Sequence, residues 1–157
     1  MDILAHGLWS YALFSKTKYK WQAALFGTLP DLISFGPHTL ASILTFNSLP
    51  HSKPALSSIS SYIFTMYNIT HSLIPITLVA LLVYLITKKF YLPFLAGYLH
   101  IFIDIPSHTT DFFPTPFLWP FPTPFFSGIS WANPIFMIVN YSLLVLVYAF
   151  YVFKKKT

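Results

Sequence analysis

The groups in this chain able to do chemistry are few, and most of them stand among apolar neighbours. All four acidic residues are aspartates (Asp2, Asp31, Asp104 and Asp111), and there are six histidines and no cysteine. Without cysteine there are no disulfides, thiolate nucleophiles or thiolate metal ligands. Imidazole nitrogen and carboxylate oxygen remain, a donor set that suits a divalent ion, most of all zinc. The segment His100-Ile-Phe-Ile-Asp104 sets one of each four residues apart, which on a helix stacks them on one face. His108 follows four residues later, past Pro106, a residue that disturbs regular helix. One isolated pair of this kind is also the pattern of a plain buried His–Asp hydrogen bond.

The surroundings decide between these readings. Asp31 and Asp104 both lie in apolar segments with no Lys at helical spacing, and the chain has no Arg. An ionisable group in a hydrocarbon-like setting is costly unless it is paired or holds a cation, so such a group marks a candidate functional site. The partners available by type are histidines.

The elements that must position these residues are unusually apolar. Hydrophobic residues make up 55% of the 157 residues, charged residues only 8%, and mean hydropathy is +0.65. A soluble domain carries about a quarter charged residues to wet its surface, so the chain is expected to be one integral membrane domain spanning residues 1–157. Five apolar stretches stand out, at Ile3 to Ser15, Trp21 to Phe35, Tyr62 to Thr87, Phe90 to Ser107 and Pro134 to Phe153. The expected fold is therefore all-α, a polytopic transmembrane helical bundle of about five membrane segments. A full crossing needs about 20 residues, so the first two segments are short or form a re-entrant hairpin.

The net charge of +5 does not point to nucleic acid. The lysines are grouped beside apolar stretches, at Lys16, Lys18 and Lys20, at Lys88 and Lys89, and at Lys154 to Lys156. That is the pattern of cytoplasmic flanks rather than of a basic nucleic-acid face. The C-terminus then lies in the cytoplasm, and residues 36–61 and 108–133 lie outside. The first residues lack the basic region of a signal peptide, so the first apolar stretch is expected to remain.

Counted inward from the lysine ends at 1.5 Å per residue, His6 stands about 14 Å up, Asp31 about 15 Å, His100 about 15 Å, Asp104 about 21 Å and His71 about 24 Å. Four segments thus bring His or Asp to overlapping heights, as bundles do when they build a metal site. His6, Asp31, His71, His100 and Asp104 are the candidate ligands, and Asp104 and Asp31 also the candidate bases. His108 and Asp111 are candidate additional ligands or supporting groups. Thr70 and Ser72 flank His71 and either orient it or bond back to their own helix. His38 and His51 fall in the outer loop and are expected to face water. The stretch from Asp111 to Phe126 alternates Pro with aromatics; Phe117, Trp119 and Phe121 are its candidate substrate gate at the outer interface.

Ala5-His6-Gly7, Leu29-Pro30-Asp31, Thr70-His71-Ser72, His100-x-x-x-Asp104 and Leu118-Trp119-Pro120-Phe121 occur in that order. The series resembles the LexA-regulated, membrane-bound metal-dependent hydrolases, small proteins of the bacterial inner membrane. That family is in turn distantly similar to zinc-dependent phospholipase C. The resemblance covers residues 6 to about 121 and implies a helical fold, a divalent metal, and hydrolysis of a phosphoester or lipid-like substrate at the outer leaflet. The chain departs from the pattern at Leu32-Ile33, where a second acid is usual, and at Met66-Tyr67, where a His-Arg pair is usual. These departures remove two ligands and a phosphate-binding group, and His108 is the residue that can compensate. The rival readings are a non-enzymatic membrane protein that binds or transports a divalent ion or a proton, and a scaffold that retains a structural metal.

Overall fold

The computed structural model describes residues 1–44 and 56–154; His51 lies outside them, as do Lys155 and Lys156. The described residues are all-helical: α1 (Ile3–Leu13), α2 (Lys20–Ser34), α3 (Gly36–Leu44), α4 (Ser61–Thr70), α5 (Leu73–Thr87), α6 (Phe94–Ser107) and α7 (Pro134–Lys154), with a 3-10 turn at Leu56–Ser58. α2 lies at the centre, packed on α1, α4 and α6, while α7 leans on α1 and α5 on α6.

Helix α1 starts where the Asp2 carboxylate accepts a hydrogen bond from Ala5 N (3.0 Å), satisfying a donor that the first turn leaves open. It then folds back onto α2 as an antiparallel hairpin. With 11 and 15 residues, the two helices reach about 16 and 22 Å, short of a hydrocarbon core of about 30 Å. Their close crossing depends on Gly27, where an added Cβ would stand 2.1 Å from Ser10 Oγ and 3.1 Å from the His6 carbonyl. Any larger residue would force the two helices apart.

The stretch Tyr62 to Thr87, expected as one span, is bent by 60° between α4 and α5. Pro75 is the cause. In a continuous helix residue 75 would donate to the His71 carbonyl; proline has no N–H, and its ring clashes with that carbonyl. Ser72 takes up the extended backbone and caps α5, its side chain accepting from Ile74 N at 3.3 Å. The segment after α6 repairs the break. Leu73 N donates to the Phe117 carbonyl (3.0 Å), and Ser72 Oγ donates to the Trp119 carbonyl (2.8 Å). His71 therefore sits at a joint, not in mid-helix.

Part of the segment read as outer loop is also helical, as α3. One helix, through Pro134–Tyr151, is long and apolar enough to cross a membrane alone, and α4 with α5 qualifies if the bent pair counts as one span. α6 is apolar but has only 14 residues.

Candidate metal centre

Polar side chains are prominent among the largest that are fully buried. These include His6, His71, His100, Asp104, Ser10, Ser34, Ser72 and Ser107, with Ile63, Ile101 and Pro93 the apolar members. Asp31 (α2), His71 (at the α4–α5 joint), and His100 and Asp104 (α6) each offer one ligand atom, all within 4.8 Å of one another.

The spacings are those of ligands around a small cation. His71 Nε2 lies 3.1 Å from His100 Nε2 and 3.3 Å from Asp31 Oδ1. Asp104 Oδ2 lies 3.1 Å from His100 Nε2 and 3.6 Å from His71 Nε2, and Asp31 Oδ1 lies 4.0 Å from His100 Nε2. Metal–ligand bonds of about 2.0–2.1 Å in tetrahedral geometry place neighbouring donors roughly 3.3 Å apart.

Backbone carbonyls fix which nitrogen of each ring faces inward. His100 Nδ1 is 2.7 Å from the Gly27 carbonyl, so Nδ1 carries the hydrogen and Nε2 keeps its lone pair. His71 Nδ1 is 3.2 Å from the Tyr67 carbonyl and 3.0 Å from Thr70 Oγ1, giving the same tautomer. These assignments follow from the acceptors, and a supporting acceptor of this kind is the usual companion of a ligating imidazole. Two bare nitrogens then face each other at 3.1 Å with two carboxylates beside them. Four electron-rich atoms aimed at one point repel unless a cation or a proton lies between them. Asp31 Oδ2 and Asp104 Oδ2 are moreover buried without a hydrogen-bond partner, a costly state for an acceptor.

Local sequence explains the positions. The Pro30 carbonyl accepts from Ser34 Oγ (2.8 Å) and lies 3.1 Å from Thr70 Oγ1, which brings α4 against α2 one residue from Asp31. Thr70 also lies 2.8 Å from the Met66 carbonyl, so it both bonds back to its helix and holds His71. Ser72 touches the 117–119 segment rather than the imidazole.

Other candidates fall elsewhere. His6 stands on the far oxygen of Asp104, its Nε2 2.9 Å from Oδ1, and stacks on His100 with ring centres 3.7 Å apart. His108 is buried at the end of α6, its Nδ1 2.8 Å from the Phe113 carbonyl; burial lowers its pKa to about 4, so the ring is neutral. Asp111 is exposed and lines a separate cavity of about 150 Å³ with Asn68, Thr110 and Phe113. Phe117 and Trp119 are half-buried where their carbonyls meet Ser72, and Phe121 is exposed.

Reading the sequence passed over Tyr67 and Gly27. The Tyr67 ring stacks on His71 (3.8 Å), and its hydroxyl donates to the Phe113 carbonyl (2.9 Å) beside His108. The position of Tyr67 four residues before His71 was the available signal; Gly27 acts through its carbonyl, which leaves no mark in a sequence. No family model, no curated protein and no solved structure matches the chain.

Proposed function

We propose that this protein is a membrane-embedded metal-dependent hydrolase acting on a phosphoester or lipid-like substrate. The observation that carries the metal is the convergence of His71 Nε2 and His100 Nε2, 3.1 Å apart, with two buried carboxylates. The membrane setting is supported by the outer surface. Leu78, Leu82, Leu85 and Ile86 on α5 and Ile135, Ile138, Val145 and Leu146 on α7 are all exposed, more apolar surface than water tolerates on a monomer.

Contacts between turns support the orientation. Tyr19, beside Lys18 and Lys20, packs edge-on to Tyr91, beside Lys88 and Lys89 (5.7 Å), and Tyr151, near Lys154, donates to the Ala12 carbonyl (3.0 Å). The described lysine groups thus gather at one end, away from the joint at His71. Under the positive-inside rule that end would be cytoplasmic, with the joint at His71 nearer the other side.

Hydrolysis is supported by the ordered motifs shared with the membrane-bound hydrolases, a likeness that also suggests the bacterial inner membrane. A bound zinc-like ion would bring a coordinated water to a pKa of about 7 and polarise a phosphoryl oxygen. His71, His100 and Asp104 would hold that ion. Asp31 is the most exposed of the four donors, and its Oδ2 has no hydrogen-bond partner. It is placed to accept the proton of the attacking water. The 117–121 segment, tied to Ser72, would bound the approach of a lipid head group.

One observation favours a second reading. Four protein donors suffice to close a tetrahedral ion, which suits a retained or transported metal. A phosphate-release assay on phospholipid in detergent separates the two. The hydrolase reading expects release that a chelator abolishes, that zinc restores, and that His71→Ala lacks. Ion flux in proteoliposomes with no hydrolysis would overturn it.

A further inference from the structure

A cavity of about 150 Å³ adjoins the metal centre and shares none of its four donors. Its walls are aromatic, from Phe64, Tyr67, Phe113 and Phe125, and Asn68 and Asp111 supply polar groups. Tyr67 links the two places, since its ring also stacks on His71 with centres 3.8 Å apart. We infer that this cavity binds an alkylated ammonium ion, presented by a lipid head group or by a small soluble amine. Such binding goes beyond the hydrolase reading and stands without it.

The residues after α6 build much of the wall. Thr109 pairs with Phe112 across a tight turn, which leaves Asp111 exposed at the cavity. Phe113 then takes a left-handed backbone (φ 50°), a conformation that costs a bulky residue energy. Its side chain is buried all the same, packed on Phe35 (ring centres 5.1 Å), Phe64 (5.0 Å) and Tyr67 (5.0 Å). The aromatic wall is thus set before a ligand arrives, which lowers the cost of binding.

The lining selects by charge and by size. Aromatic faces carry negative potential and attract cations, most of all where water is excluded. Asp111 adds a carboxylate, and the described lining residues include no Lys and no His. An anion is therefore repelled, and one carboxylate without imidazole is a poor ligand set for a transition metal. At about 30 Å³ per liquid water the space equals about five waters, room for a nitrogen bearing small alkyl groups.

The test is direct binding to the full chain, purified in an uncharged maltoside detergent and titrated by ligand-observed NMR. The probes are choline and its uncharged tert-butyl isostere, in which carbon replaces nitrogen. Choline is expected to bind wild type about tenfold more tightly than the isostere. Asp111→Asn and Phe125→Ala are each expected to weaken choline several-fold. Both side chains are exposed, so the variants fold, which a circular-dichroism melt checks. Equal binding of the two probes overturns the assignment, as does choline binding that neither substitution weakens. No binding of choline, free or lipid-borne, overturns it as well. Nanodiscs separate the two sources and uphold the ammonium either way. Competition by choline-headed but not glycerol-headed phospholipid assigns the head group, and choline binding without such competition assigns a soluble amine.

Discussion

Helices α6 and α7 are opposite in design. α6 carries Gly97, His100, Ile101, Asp104 and Ser107 on one buried face, a three-and-four spacing in which small and polar residues point inward. α7 is longer, and Asn140 and Leu144 are its buried side chains among those described. Its Ile135, Ile138, Val145, Leu146 and Phe150 all face outward. It is held to α1 by an apolar cluster around Ala5 and Leu144 and by two hydrogen bonds, Trp9 Nε1 to Asn140 Oδ1 at 2.9 Å and the Tyr141 hydroxyl to Asp2 Oδ1 at 2.9 Å. The exposed apolar face of α7 and the buried polar face of α6 are the two features on which the membrane and metal proposals rest.

Four perturbations sharpen that contrast, taken from the largest effect down. Stripping metal with a chelator should unfold the α6 side first. An ion held at 1,000 times its Kd stabilises by about 4 kcal/mol, read as a fall in thermal midpoint that zinc reverses. Unchanged melting would separate the polar core from any metal. Val145→Lys on the outer face of α7 should cost about 3 kcal/mol of insertion, seen as loss from the membrane fraction. On a water-facing helix the same change would be nearly neutral, so full recovery would break the contrast from its other side. Gly27→Ala should destabilise by about 2 kcal/mol through overpacking against Ser10. It should also weaken metal binding, because the Gly27 carbonyl orients His100. Ser72→Ala removes the tie to the Trp119 carbonyl and should cost about 1 kcal/mol, with metal content kept.

Much of the centre was legible because chemistry is so sparse here. With four aspartates and six histidines in the chain, Asp31, His71, His100 and Asp104 could be matched in depth from the lysine ends. Helices α1, α2, α6 and α7 followed from apolar runs bounded by Lys, Pro and Ser. The bend at His71 did not, since the run from Tyr62 to Thr87 is apolar throughout and its break comes from one missing N–H at Pro75. α3 was hidden in a stretch whose Pro, Ser and Thr read as loop. The ties from Phe117 and Trp119 to Ser72 and from Gly128 to the end of α6 use backbone groups, which composition does not record. Asp111 is an acid near the outer end of the site in sequence, but the turn at 109–112 carries it to the surface.

The metal reading stands on His71, His100 and Asp104 as ligands, with Asp31 beside them. Its most direct test is the metal content of protein purified without chelator under metal-replete conditions, wild type beside His100→Ala. At least one tightly held divalent ion per wild-type chain is expected, and its loss in His100→Ala, with the variant still folded and monodisperse. Wild type free of metal, or a folded His100→Ala that keeps its full complement, would contradict it.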